Sequence, residues 1–168
     1  MDLKIGSKAP AINLPDQDGV THKLSDYEGQ YVLIYFYPKD DTSGCTTEAC
    51  GIRDSFPRFN KLKAKVFGIS ADSVASHKKF ADKYKLPFTL LADENREVCE
   101  RYGVWDKKSM YGRIFFGIKR TSFLVDPTGK IVRIYEKVKP ALHTSQVLAD
   151  LEELQKVSKQ VTPKEYKK

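Results

Sequence analysis

Cysteine is sparse in this sequence: three in 168 residues, an odd number and too few for a disulfide framework, so each must be explained by chemistry or by packing. Long apolar runs are missing as well. The longest, Tyr31 to Tyr37, has seven residues, far below the ~20 that a helix needs to cross a bilayer. Met1-Asp2-Leu3-Lys4 opens no signal-peptide pattern, and the expected compartment is the cytoplasm, with no membrane partner. Histidine occurs only at His22, His77 and His143, and no pair has metal-ligand spacing relative to the cysteines, so no metal or other cofactor is expected. There is no C-x-x-C, no repeat, no linker and no low-complexity segment. Ser70, Asp72 and His77 invite a hydrolase reading, but no G-x-S-x-G accompanies them; a helix cap with His77 on an exposed face is the expectation.

What is present is a composition of 40% hydrophobic and 30% charged residues, that of one globular domain. A chain of this length buries roughly 70% of its unfolded surface and needs no staple. The formal charge of +7 is unevenly placed: residues 156–168 hold five lysines against one glutamate, +4, which leaves +3 on the rest. We read residues 1–155 as the domain and 156–168 as a basic, solvated tail. No basic stripe with interleaved aromatics is legible, and no nucleic-acid partner is expected.

Tyr31-Val32-Leu33-Ile34-Tyr35-Phe36-Tyr37, between Gly29 and Pro38, reads as a central strand covered on both faces. Val66 to Ser70 is a second strand. The intervening Cys45 to Leu62 carries Ile52, Phe56, Phe59 and Leu62 at helical spacing, with Pro57 predicting a break near Phe56. Ser73 can cap a helix bearing Val74, His77, Ala81 and Tyr84; a strand at Phe88 to Leu91 and a short helix from Glu94 to Tyr102 follow. Thr121 to Val125 and Lys130 to Glu136 flank Asp126-Pro127-Thr128-Gly129, a type I turn sequence, and form an antiparallel hairpin. A last helix carries Val147, Leu148, Leu151, Leu154 and Val157, and residues 11–24 offer a small extra hairpin. The order predicts an α/β fold: a mixed central sheet flanked by helices on both faces, with an N-terminal β-hairpin extension.

The chemistry is expected in Pro38-Lys39-Asp40-Asp41-Thr42-Ser43-Gly44-Cys45-Thr46-Thr47-Glu48-Ala49-Cys50, where the central strand ends and a helix begins. Ligands of open α/β sheets bind at that edge, and a first helical turn presents free N–H groups and partial positive charge. A thiol of ordinary pKa is about 3% ionised at pH 7, and one lowered to ~6 is about 90% ionised. That lowering requires roughly 3.4 kcal/mol, of which a helix terminus supplies about 0.3 to 2, so a cation is needed too.

Pro38, Thr42 and Cys45 fit the P-x-x-x-T-x-x-C motif of the peroxiredoxins, and YFYPKDDTSGCTTEACGIRD resembles the bacterioferritin-comigratory (Q-type) subfamily. The resemblance continues through Ser76 to Phe80, Leu86-Pro87-Phe88, Tyr102 to Trp105 and Arg120 to Asp126, roughly Leu3 to Leu154 in all. It implies a thioredoxin-like fold and a thiol peroxidase. Cys45 would be the peroxidatic cysteine, Arg120 the cation and Thr42 a hydrogen-bond donor to the thiolate and partner of the peroxide. Pro38 would shield the site from water. Cys50 would resolve the Cys45 sulfenic acid as an intramolecular disulfide, recycled by thioredoxin or a similar dithiol; a monomer is expected. Residues five apart on a helix have Cα atoms about 8.7 Å apart, beyond the roughly 7 Å limit for a disulfide, so this pairing requires the helix to unwind. Glu48 either orients Arg120 or is a favourable first-turn acid, and Cys99 is expected to be packing. Many subfamily members have proline where Ser43 stands. The alternatives are a protein dithiol–disulfide oxidoreductase and a chaperone-like or nucleic-acid-associated protein acting through its tail.

Overall fold

The computed structural model describes residues 3–160. Two short strands, β1 (Asn13–Pro15) and β2 (Thr21–Lys23), pair as the N-terminal hairpin and lead through a 3₁₀ turn at Leu24–Tyr27 into β3 (Tyr31–Phe36). Then come α1 (Ser43–Asp54), α2 (Phe56–Lys61), β4 (Ala64–Ser70), α3 (Val74–Tyr84), β5 (Thr89–Ala92) and α4 (Glu97–Arg101). A second hairpin, β6 (Trp105–Met110) and β7 (Arg113–Ile118), precedes β8 (Thr121–Val125), β9 (Ile131–Tyr135) and α5 (Pro140–Gln160).

The main sheet has the order β5-β4-β3-β8-β9, with β3, β4 and β5 parallel and β8 and β9 antiparallel to their neighbours. Its middle strand is the apolar run singled out above, and the two-residue period of β3 explains why that run is continuous. Leu33, Tyr35 and Tyr37 face a core shared with α1, α2, α3 and α5, while Val32, Ile34 and Phe36 face α4 and the N-terminal segment through Ile12, Leu24, Val98 and Tyr102. Helices therefore cover both faces. Gly68 on β4 is required by this packing: a Cβ there would lie 2.7 Å from the Tyr35 ring.

The break at Phe56 falls between α1 and α2, because Pro57 has no N–H to continue the ladder and Ser55 closes α1 onto Gly51 and Ile52. Ser73 caps α3, its hydroxyl accepting the Ser76 N–H at 3.1 Å. The helix expected from Glu94 starts three residues later. Arg96 is left-handed (φ 61), and the Asp93 carboxylate accepts the N–H groups of Val98 and Cys99, which sets the first turn at Glu97. The β6–β7 hairpin has no counterpart in the sequence reading. Its two-residue turn, Tyr111 and Gly112 (φ 53 and 77), is of the mirror-image kind usually announced by Asn-Gly, and β6 is too polar to read as a strand. The expectation that His77 lies on an exposed face is also corrected: its side chain is fully buried. At the other end α5 continues through residues 156–160, and 161–168, most of the segment read as a tail, lie outside the described residues.

Candidate active site

The parallel strands β3 and β4 point the chain toward one sheet edge, and the loop after β3 turns there into α1 with Thr42 as N-cap (φ −88, ψ 159). Cys45 is the third residue of the helix, 1% exposed, in the turn whose N–H groups have no intrahelical acceptor. Arg120 arrives from the opposite side of β3. Phe36 pairs with Thr121, which sets Arg120, one residue earlier on an antiparallel strand, beside the start of the catalytic loop. Its Nη2 donates to Cys45 Sγ at 3.2 Å and its Nη1 to Glu48 Oε1 at 2.8 Å. Gly44 leaves room for the guanidinium, since a Cβ there would stand 3.1 Å from Nη2.

Glu48 is fully buried, and burial pushes its carboxyl up to about 7 although Arg120 pulls the other way. Oε2 lies 3.7 Å from His143 Nε2 on α5, and that nitrogen is 2.8 Å from Ser122 Oγ. Burial and then the Arg120 charge push His143 down to about 4, so the ring is neutral at physiological pH. Tyr35 sits behind the pair, its phenol raised by burial and by the charges of Glu48 and Cys45. One guanidinium, itself partly exposed, is thus shared between a buried sulfur and a buried carboxylate, where each donor counts for more than it would in solution. Of these, the sequence offers Glu48 as a partner of Arg120; it offers Tyr35 only as part of the central strand and His143 only as a histidine without metal-ligand spacing, and nothing local marks Ser122.

Thr42 departs from expectation. Its hydroxyl donates to the Lys39 carbonyl at 3.0 Å, not to the sulfur, and so neither bonds Cys45 nor caps α1. The single hydroxyl proton is spent on that carbonyl, which draws the side chain back over the loop. The oxygen keeps lone pairs with which to accept a further hydrogen bond, and the first-turn N–H groups have no intrahelical acceptor. Pro38 lies, with Lys39, Trp105, Lys108, Phe115 and Ile118, in a groove of about 350 Å³ beside the loop. Lys108 reaches the site electrostatically: burial and Arg120 lower its amine, while Cys45 raises it.

Cys50 is half-buried on the same helix as Cys45, and both are free thiols. Cys99 is buried against α4's partners, its thiol pushed up by burial and by Asp93, which suits packing. Asp40, Asp72 and His77 bring three ligand atoms within 4.8 Å of one another, the spacing of a cation site. Those atoms are already engaged: Asp40 accepts from Tyr37 and Ser76 and lies 2.7 Å from His77 Nδ1, and Asp72 accepts from Ser70 and the Asp40 N–H. Ser70 therefore donates to Asp72 and not to His77, which removes the hydrolase arrangement. A second cavity of about 330 Å³, between the N-terminal segment and Val32 and Val125, lies at the other end of the sheet from Cys45.

The family model described as AhpC/TSA family matches residues 5–134. The peroxiredoxin Bcp of Escherichia coli K12 is 48% identical over 151 residues, 90% of this chain and 97% of that one. The putative peroxiredoxin bcp of Coxiella burnetii is 47% identical over 151 residues, covering 90% and 100%. Among solved structures, the bacterioferritin comigratory protein of Xanthomonas campestris, described with alkyl peroxide reduction activity, superposes with a TM-score of 0.83 at 38% identity, covering 90% of this chain and 97% of that one. A Xylella fastidiosa PrxQ mutant gives 0.87 at 34% identity, covering 92% and 99%. Among the described residues, no helix is long and apolar enough to cross a membrane.

Proposed function

The chain belongs to the AhpC/TSA family and is a thiol-dependent peroxidase of the peroxiredoxin class, and from that premise we propose that Cys45 is its peroxidatic residue and Cys50 its resolving residue. The observation that carries this assignment is the 3.2 Å bond from Arg120 Nη2 to a buried sulfur in the first turn of α1. In the reaction, the Cys45 thiolate attacks the distal oxygen of a hydroperoxide. The S–O bond forms as the O–O bond breaks, the sulfur becomes a sulfenic acid, and the departing oxygen takes a proton and leaves as water or an alcohol. Negative charge moves from sulfur to oxygen along this path. The guanidinium and the free N–H groups of Ser43, Gly44 and Cys45 stabilise the charge as it moves, more than they stabilise the ground state. Thr42 accepts the peroxide O–H and sets the angle of approach.

The Cys50 thiol then condenses with the sulfenic acid, releasing water and forming a disulfide. Since both residues lie on one continuous helix, with Cα atoms about 8.7 Å apart by helix geometry, the first turns of α1 unwind for the sulfurs to meet. An external dithiol of the thioredoxin type reduces the disulfide and is itself oxidised. Hydrogen peroxide and small organic hydroperoxides are the substrates, and the protein acts as a cytoplasmic monomer whose peroxidase domain spans residues 1–155. The alkyl peroxide activity of the Xanthomonas relative and the apolar groove at Pro38 both support the organic substrates.

Mass spectrometry after one equivalent of peroxide tests the assignment. The wild type should lose two hydrogens, Cys50→Ser should gain one oxygen, and Cys45→Ser should show neither change; equal oxidation of all three cysteines contradicts it. Amide exchange over residues 46–49 should rise on oxidation, and unchanged protection contradicts the unwinding.

A further inference from the structure

The catalytic loop is flanked by Arg120 on the β8 side and, on the β4 side, by a buried polar cluster that takes no part in the steps above. Asp40 is its centre and is 8% exposed. Its Oδ1 accepts the Tyr37 hydroxyl at 2.6 Å, and its Oδ2 accepts the Ser76 hydroxyl at 2.8 Å and lies 2.7 Å from His77 Nδ1. Its own N–H donates to Asp72 Oδ2 at 2.8 Å. His77 Nε2 is 2.9 Å from the Leu91 carbonyl, an obligate acceptor, so that nitrogen carries a proton and the ring is held at both ends. The next residue, Asp41, is left-handed (φ 58) and accepts from Lys83 at 2.7 Å and from the Tyr84 hydroxyl at 2.8 Å. Four of these partners, Ser76, His77, Lys83 and Tyr84, belong to α3. The far end of α1 is tied to the same helix, where Arg53 donates to the Tyr84 carbonyl at 2.8 Å.

The segment between these ties is the one that carries both thiols. Among the described residues, no side-chain hydrogen bond or ion pair joins residues 43–52 to α3. The loop before α1 and the last turn of α1 are tied to α3 by polar bonds, and the first turns between them share only an apolar core with it, through Cys45, Ala49 and Ile52. Burying a carboxylate and an imidazole is costly unless every lone pair and proton is engaged, and a fully engaged cluster fixes the backbone that bears it. Here that backbone is the loop that decides where α1 begins.

We propose that Asp40 and His77 are positioning residues: by clamping the loop before α1 onto α3 they hold the first turn of α1 in its peroxide-reducing arrangement, and the strength of the clamp sets how readily that turn unwinds after oxidation. This rests on the Cys45–Cys50 reading above. Asp40→Asn keeps the shape but puts an amide NH₂ in place of one of the two carboxylate oxygens that accept the Tyr37 and Ser76 hydroxyls, so the clamp loosens. Stopped-flow kinetics should show Cys45 oxidation about tenfold slower and formation of the Cys45–Cys50 disulfide about tenfold faster, since the unwound state is more populated. Amide protection from residue 40 to residue 46 should fall in parallel. Tyr102→Phe, which removes a buried hydroxyl bonded to the Pro10 carbonyl on the other face of the sheet, serves as a control for stability loss alone and should leave the ratio of the two rates unchanged. Ser76→Ala, a milder cut that removes one bond to Asp40, should move both rates in the same directions by about threefold and covers the case in which Asp40→Asn does not fold.

Rates that fall together, or a ratio that follows overall stability in all variants, overturn the proposal. A wild type that forms no disulfide overturns the function reading beneath it. In that case the exchange arm still decides the clamp: loop protection lost in Asp40→Asn and kept in Tyr102→Phe supports it, and equal protection in both refutes it.

Discussion

Replacing Glu48 by glutamine should change the pH dependence of stability with a calculable sign. The carboxyl stands at about 7 in the folded protein against an ordinary 4.5. The native state therefore holds this proton over a range in which the unfolded chain has lost it. Stability associated with the neutral form is complete below 4.5 and is lost as the pH rises through about 7. A difference of this size corresponds to roughly 3 kcal/mol, with the opposing pull of Arg120 already included in it. Glutamine cannot ionise, so the variant escapes that loss. Urea denaturation of reduced wild type and Glu48→Gln from pH 4.5 to pH 8.5 should show the variant gaining on the wild type by about 3 kcal/mol across the range, most steeply between about pH 5 and pH 6.5 and levelling off above about pH 7.5. Repeating the pair in a Cys45→Ser background removes any contribution from the thiolate, and His143 titrates in both members and cancels. A gap that stays flat to within ~0.5 kcal/mol would mean that the carboxylate is charged throughout and that burial does not govern it.

Three further substitutions probe the site and its scaffold. Arg120→Lys keeps a charge but not two donors in a fixed fork, so one ammonium cannot serve both Cys45 and Glu48; the rate constant for Cys45 oxidation should fall about a hundredfold, and an unchanged rate would remove Arg120 from the mechanism. Thr42→Val should slow the same step about tenfold while Thr42→Ser stays near wild type, measured by single-turnover kinetics; equal rates would show that the hydroxyl is idle. Gly68→Ala should lower stability by roughly 1–3 kcal/mol in urea melts, because the new Cβ meets the Tyr35 ring at 2.7 Å, and a neutral outcome would mean that the ring moves freely.

The clash at Gly68 and the fork at Arg120 both come from contacts that the linear sequence does not announce. What it does announce is local. The run Tyr31 to Phe36, punctuated by Gly29 and Pro38, specifies a buried strand because it is short, rich in β-branched and aromatic residues and bounded by turn residues. Pro57 specifies the break between α1 and α2 by lacking a proton. Pro38, Thr42 and Cys45 mark the loop between β3 and α1 by fitting a family motif, and Arg120 is named through the same resemblance. The β6–β7 hairpin was missed because its turn is Tyr-Gly and its first strand is polar, so that neither punctuation nor period distinguishes it from a loop.

The amino-acid sequence by itself determined the order of the elements other than β6 and β7, the place where a strand hands over to a helix, and the thiol that stands in that helix's first turn, because each follows from propensity and spacing over a few residues. Only the tertiary structure decided the charge environment. Glu48 and His143 are ninety-five residues apart and meet at 3.7 Å because α1 and α5 pack on the same face of the sheet. Asp40 and His77 meet because the loop after β3 lies against α3. Burial then pushes Glu48 up and His143 down, and burial is a property of the packed whole, which no local stretch of sequence contains.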